Sequence, residues 1–370
     1  MQRKGKIKFV NTDKSLFYET VKERIENYFI ENNLSKHANT AMIVKSIILL
    51  AGYIVPFFII LIIHPSVFVC MLLWFFMGLN LAGIGMSVMH DANHGAYSAN
   101  KNVNTWMGYT LNLLGGTVFN WKLQHNILHH TYTNIVDMDD DIDDKAVMRF
   151  SPHKKLKVFH RLQFVYAFFF YGLLTLYWTL GKDFVQYAKY TANGVNANSK
   201  KENRIILAKI TLIKIIYFFI FLIVPVLFFQ IPFWQVITGF LIMHFIGGVI
   251  LTVVFQLAHT VEGTTHPLPT EYGTIENCWA IHQMNTTVNF STDNKWISWY
   301  VGGLNFQVEH HLFPKICHVH YPRIAHIVKN TATDFNIAYM ENKTFMQALH
   351  SHVITLHRFG KLPDINEAIG

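Results

Sequence analysis

At 370 residues the chain is long enough for two or three soluble domains, yet 51% of it is hydrophobic and only 15% charged, against roughly 25% charged in ordinary soluble domains. Its net charge of +8 forms no stripe interleaved with stacking aromatics, which argues against a nucleic-acid partner. Cys70, Cys278 and Cys317 are scattered without a CxxC pair, which excludes a thiolate metal site and fits a reducing compartment.

In chain order, residues 1–41 read as a cytoplasmic N-terminal leader, charged at MQRKGKIKF and unlike a secretory signal. Ser46 to Met89 contains no Lys, Arg, Asp or Glu and is interrupted only by His64-Pro65. One membrane span needs about 20 apolar residues, so this block predicts two, at about 42–63 and 66–89. Ile215 to Ala258 is likewise uncharged and breaks at Gln230-Ile231-Pro232, which predicts spans at about 211–230 and 233–257. Each hairpin delivers a histidine at its end, His90 from the first and His259 from the second.

Two weaker stretches, Val103 to Trp121 and Phe164 to Leu180, carry polar residues or an excess of aromatics and read as re-entrant or interfacial. Were only the first of them to span, His94 and His125 would lie on opposite faces of the membrane. Lys and Arg number 8 in residues 1–41, 14 in 90–209 and 7 after Ala258, while neither hairpin turn carries one. By the positive-inside rule both termini and every histidine box are cytoplasmic. The expected fold class is an all-α integral membrane protein: two transmembrane helical hairpins, four spans, under a cytoplasmic helical cap. The membrane domain covers 42–330 and a cytoplasmic tail covers 331–370.

The chemistry lies in three histidine boxes: His90-Asp91-Ala92-Asn93-His94, His125-Asn126-Ile127-Leu128-His129-His130 and Gln307-Val308-Glu309-His310-His311. Residues four apart share a helix face, so His90 with His94, and His125 with His129, can each grip one ion. Adjacent residues differ by about 100° on a helix, so His310 and His311 can serve neighbouring metals. Gln307 ligates weakly, holds a water, or only packs. With His259 the candidates are His90, His94, His125, His129, His130, His259, Gln307, His310 and His311, more than one tetrahedral ion needs. Imidazole suits zinc, copper, iron and nickel.

Ligating histidines usually donate their other ring N–H to a carboxylate or carbonyl, and Asp91, Asp141 and Glu262 are the nearest carboxylates in sequence. The acidic run Asp137 to Asp144 as a whole reads as a solvated face, since hard oxygen ligands would compete for the metals. His244, mid-span, is a functional candidate or a neutral histidine bonded to a neighbouring helix. His282, His318 and His320 read as supporting or surface residues. Lys214, at the start of its span, is expected to snorkel to the interface. No HExxH, P-loop or GxSxG motif occurs.

On HDANH, HNILHH and QVEHH, in this order and beside two hydrophobic hairpins, the chain resembles the membrane fatty acid desaturases from about Ala41 to Tyr321. Gln307 in place of a histidine is similar to the front-end subgroup, which places a double bond between an existing one and the carboxyl end. The resemblance implies a pair of iron ions, dioxygen as co-substrate and a lipid acyl substrate on CoA or in a membrane lipid. The family's extra ligand falls on His259. Where relatives supply an asparagine one turn earlier, this chain has Phe255 beside Gln256. Many eukaryotic front-end enzymes carry a haem domain with His-Pro-Gly-Gly, whereas the His-Pro pairs here, His64-Pro65 and His266-Pro267, lack the glycines. A separate electron donor, a ferredoxin or a cytochrome with its reductase, is therefore expected, in a bacterial plasma membrane.

The residues fit that chemistry independently. Oxidising unactivated methylenes needs a redox-active metal, which zinc is not. Sphingolipid desaturases share the glutamine, and lipid hydroxylases share the boxes. A His-rich metal transporter would want ionisable residues within several spans, where only His244 qualifies.

Overall fold

A computed structural model of the chain describes residues 7–10, 16–142 and 147–363. Almost all of the described secondary structure is helical. Among the described residues four helices are long and apolar enough to cross a membrane: Thr40–Ile63, Val67–His94, Lys200–Leu227 and Phe233–His259. They fall on the four expected stretches, with the second running on to His94 and the third starting early. The third helix begins at Lys200, well before position 211, because Ser199 and Glu202 form a capping box that starts it among polar residues. Both hairpin turns contain a residue in the left-handed region, His64 (φ 50°) before Pro65 and Gln230 (φ 54°) two before Pro232. Of the two weaker stretches, one is short helices (Lys101–Gly108, Thr110–Leu113, Val118–Trp121). The other lies in a pair, Val158–Gly172 and Leu174–Ala192, bent by 52°.

The chain divides into two compact units, residues 38–123 with 168–253, and residues 7–37 with 124–167 and 254–363. In the first, the hairpins close where small residues let helices approach, as membrane helix packing requires. A Cβ on Gly239 would stand 2.0 Å from Trp74, and one on Gly78 would stand 2.6 Å from the Met243 carbonyl. A polar network is enclosed there. Lys214 is buried and pairs with Asp183 at 2.6 Å. It also donates to the carbonyls of Gly115 and Trp178, while Asn120 donates to Asp183. The snorkelling expected for Lys214 is thus overturned: a carboxylate within the unit replaces the interface as its counterion. His244 is buried with Tyr217 Oη 2.8 Å from Nε2 and Thr175 Oγ1 3.1 Å from Nδ1, so both ring nitrogens are engaged.

The second unit includes described helices from both the leader and the tail expected from the sequence. Phe17, Val21, Ile25 and Phe29 recur every four residues along the helix Phe17–Glu31. That stripe is buried in one core with Val308 and Leu312 of the third box and with Ile324 and Val328 of the helix Tyr321–Asp334. Near the other end, in the helix Phe345–Phe359, Ser351 accepts from the Glu262 N–H and His352 bonds the Thr260 carbonyl. The unit's strands are two parallel pairs of two residues, Lys8–Phe9 with Thr274–Ile275 and Asn289–Phe290 with Glu341–Asn342.

Candidate metal centre

The second unit brings six of the nine sequence-derived ligands together, His125, His129, His130, His259, His310 and His311, all buried, with buried Gln307. Nitrogen atoms of His129, His259 and His311 lie within 4.8 Å of one another, and so do those of His130, His310 and His311. His311 belongs to both groups. The remaining pair, in the first unit, sits on the helix Val88–His94 with rings 4.8 Å apart, and Trp121 packs edge-on against both.

Box two is not wound as an ordinary α-helix. Lys122–His129 forms a π-helix leading into His130–Tyr132, whose i→i+5 winding is a frequent mark of functional sites. The wider turn brings His130 Nε2 to 3.3 Å from His125 Nε2. Imidazole nitrogens sit about 2.0–2.1 Å from a metal, so two ligands of one ion stand roughly 3–4 Å apart. The i,i+4 argument had offered only His129 as the partner of His125.

Four of the clustered rings are each held by the scaffold through one nitrogen. His129 Nδ1 lies 3.1 and 3.2 Å from the Asp139 carboxylate oxygens. His259 Nδ1 lies 3.2 Å from the Thr286 carbonyl, His310 Nδ1 lies 3.3 Å from Tyr321 Oη, and His311 Nδ1 lies 2.7 Å from Gln283 Oε1. Such contacts fix the tautomer and aim the opposite nitrogen. His129 Nε2 is buried and meets no hydrogen-bond donor or acceptor, which an all-nitrogen metal site explains. Burial disfavours a charged His129 ring, and the Asp139 and Asp141 carboxylates outweigh that, holding its pKa above the usual histidine value.

Asp139 corrects the expectation for the acidic run. It is fully buried, Asp140 nearly so, and the N–H groups of Asn134 and Asp141 donate to its carboxylate. Asp141 stands 3.7 Å from His129 Nδ1 and takes its hydrogen bond from Gln124 instead. Asp143 and Asp144 lie outside the described residues. Asp91 is buried but 3.9 Å from His90 Nδ1, too far for a hydrogen bond. Glu262 is exposed, and only its backbone N–H is engaged. Asp141 still acts on His129 electrostatically; for Asp91 and Glu262 sequence proximity misled, because a ring orients to whatever acceptor the fold brings to its nitrogen. Gln283, Thr286 and Tyr321 were invisible for the same reason.

Phe255, where an asparagine was noted in relatives, packs against the rings of His129 and His259, 4.9 Å from each. Gln256 accepts from the Thr260 hydroxyl. Gln307 lies beside the His259 side chain. In the same helix, burial pushes the Glu309 carboxyl up to about 7, against hydrogen bonds from Asn289 and Tyr339 that pull it down. That cluster anchors box three, since Asn289 also accepts from the Val308 N–H.

The sequence model of the fatty acid desaturase family matches residues 36–343. The chain belongs to that family. Three relatives span nearly the whole chain. A desaturase named sn-1 linoleoyl-lipid 6-desaturase in Synechocystis is 34% identical over 96% of this chain and 98% of its own length. A protein of the same name in Arthrospira platensis is 34% identical over 94% of each. An acyl-lipid (8-3)-desaturase of the moss Physcomitrium patens is 32% identical over 97% of this chain and 74% of its own. This desaturase is accordingly an oxidoreductase acting on fatty acyl chains, integral to a membrane, with histidines of boxes two and three clustered in groups that could hold a metal.

Proposed function

We propose that this desaturase holds two iron ions and introduces a double bond into an acyl chain of a membrane glycerolipid, between an existing double bond and the carboxyl end. The observation that carries the iron reading is the pair of overlapping histidine groups joined at His311, with outer nitrogens fixed so that the inner ones face a common space. His125, His129, His130, His259, His310 and His311 would be ligands within the second unit. His90 and His94 are assigned with them on their i,i+4 pairing, and Gln307 as a weak or water-mediated ligand beside His259. Iron bound there supplies the redox capacity to reduce dioxygen: –CH2–CH2– + O2 + 2e⁻ + 2H⁺ gives –CH=CH– + 2H2O. The surrounding residues orient the ligands and keep bulk water from the reacting carbons, since nearly every group around the boxes is buried.

The acyl-lipid reading follows the names of the relatives and the glutamine of box three. The two electrons come from a separate carrier, a ferredoxin or a cytochrome with its reductase. Both termini and all boxes face the cytoplasm of a bacterial plasma membrane, so cysteines introduced at Asn100, Lys155 and Lys343 should label only from that side. The deciding experiment is expression in a host that supplies polyunsaturated lipids, with lipid mass spectrometry and iron analysis of the purified protein. A new double bond on the carboxyl side of an existing one, with two irons per chain, is expected. A hydroxylated product, or a protein that carries zinc and leaves lipids unchanged, would overturn the reading.

A further inference from the structure

His311 stands in both histidine groups, so its orientation bears on both metal positions. The residue that sets it is Gln283, on the helix Trp279–Thr286. Gln283 is fully buried, and its Oε1 lies 2.7 Å from His311 Nδ1. An amide oxygen only accepts, so this contact requires a proton on Nδ1 and leaves the His311 Nε2 lone pair for a metal. The Thr133 hydroxyl lies 2.9 Å from the same oxygen, 3.3 Å from His311 Nδ1 and 2.7 Å from the His129 carbonyl. Gln283 Nε2 is buried without a hydrogen-bond partner. The oxygen-inward orientation therefore leaves both N–H donors of the amide unmet, a penalty of about 1–3 kcal/mol for such a group. Flipping the amide would put its donors on Thr133 and on His311 Nδ1, moving the ring proton to Nε2 and removing a metal ligand.

We infer that Gln283, held by Thr133, is a positioning residue: it locks His311 in the Nδ1–H tautomer and so tunes a ligand shared between the two metal positions. It does this with a neutral acceptor where His129 has the Asp139 carboxylate, so the two rings differ in how strongly they donate to a metal. The inference rests on the di-iron reading above.

The test uses the full-length protein in detergent or nanodiscs, with iron per chain, iron retention against a chelator, and the reduction potential of the iron centre measured in parallel. Gln283→Leu keeps much of the bulk and removes the acceptor; its iron retention should fall 10–100-fold, the range for loss of such a partner. Gln283→Glu restores an acceptor and adds charge; it should retain iron and shift the potential downward. Thr133→Val should weaken retention less than Gln283→Leu. A role confined to packing would not separate Leu from Glu in this way, nor move the potential. Should Gln283→Leu fail to fold, the Gln283→Glu potential decides alone. Equal iron loss in both Gln283 variants, retention in Gln283→Leu within twofold of the parent, or an unshifted potential in Gln283→Glu would overturn the inference. A parent protein that lacks two irons would overturn the proposed function itself.

Discussion

Buried histidines and charges are closed in two opposite ways in this molecule. In the first unit His244 uses both ring nitrogens on fixed hydroxyls, and Lys214 spends its donors on a carboxylate and two carbonyls. In the second unit His129, His259, His310 and His311 each have one nitrogen held by a residue of the scaffold, while their rings crowd 4.7–5.5 Å from one another. A fully satisfied histidine joins helices. One held by the scaffold through one nitrogen and crowded by other imidazoles is placed to bind something its neighbours also bind. The number of buried histidines does not distinguish the two cases; the crowding of rings around a common space does.

The largest expected effect breaks the second pattern at its shared point. His311→Ala should lose most of the iron and reduce desaturation to background, because it removes a ligand from both groups; metal analysis and lipid profiling read this directly. His129→Ala should behave similarly. If His311→Ala kept its iron, the ring shared by the two histidine groups would not be a ligand.

Breaking the first pattern should affect stability and spare the metal. Lys214→Met leaves Asp183 as a buried unpaired charge, a loss of about 3–5 kcal/mol, while Lys214→Met with Asp183→Leu should recover most of it. Thermal unfolding in detergent measures this, and iron per folded chain should stay at the parent value. His244→Leu is a milder version. It removes the ring partner of the Tyr217 hydroxyl, at about 1–3 kcal/mol for a buried group left unsatisfied, while Thr175 keeps its bond to the carbonyl of residue 244, again with unchanged iron. Loss of iron from folded His244→Leu would place that residue with the ligands and erase the contrast.

The same contrast explains what was legible beforehand. The four apolar helices and the three boxes were visible because their signals are local: uncharged runs long enough to span, and histidines at helical spacing. The π-helical winding that sets His130 against His125 was not visible, since nothing in HNILHH marks the extra residue per turn. Nor were Asp139, Gln283 and Tyr321, each of which meets its histidine through the tertiary fold. Lys214 was misread because its counterion, Asp183, lies thirty-one positions away on a bent helix pair. The terminal helices were set aside as leader and tail although Phe17, Val21, Ile25 and Phe29 already spelled a buried face.

Gln307 sharpens the comparison most finely, because it belongs to the box yet is not a histidine. It is buried in the first turn of Gln307–Leu312 and lies beside the His259 side chain. As a weak or water-mediated ligand, it would shape the site without carrying much of the metal affinity. Gln307→Ala should therefore keep clearly more iron per chain than His310→Ala or His311→Ala, while desaturation falls by about tenfold or more, the scale for removing a residue that supports a metal site. A histidine placed there would add a strong nitrogen donor at that position, so Gln307→His should alter the balance between the two irons and leave activity unrestored. The outcome is an inequality in iron measured beside product formed. Iron loss as complete as in the histidine variants would make Gln307 a full ligand, and unchanged desaturation would reduce it to a packing residue.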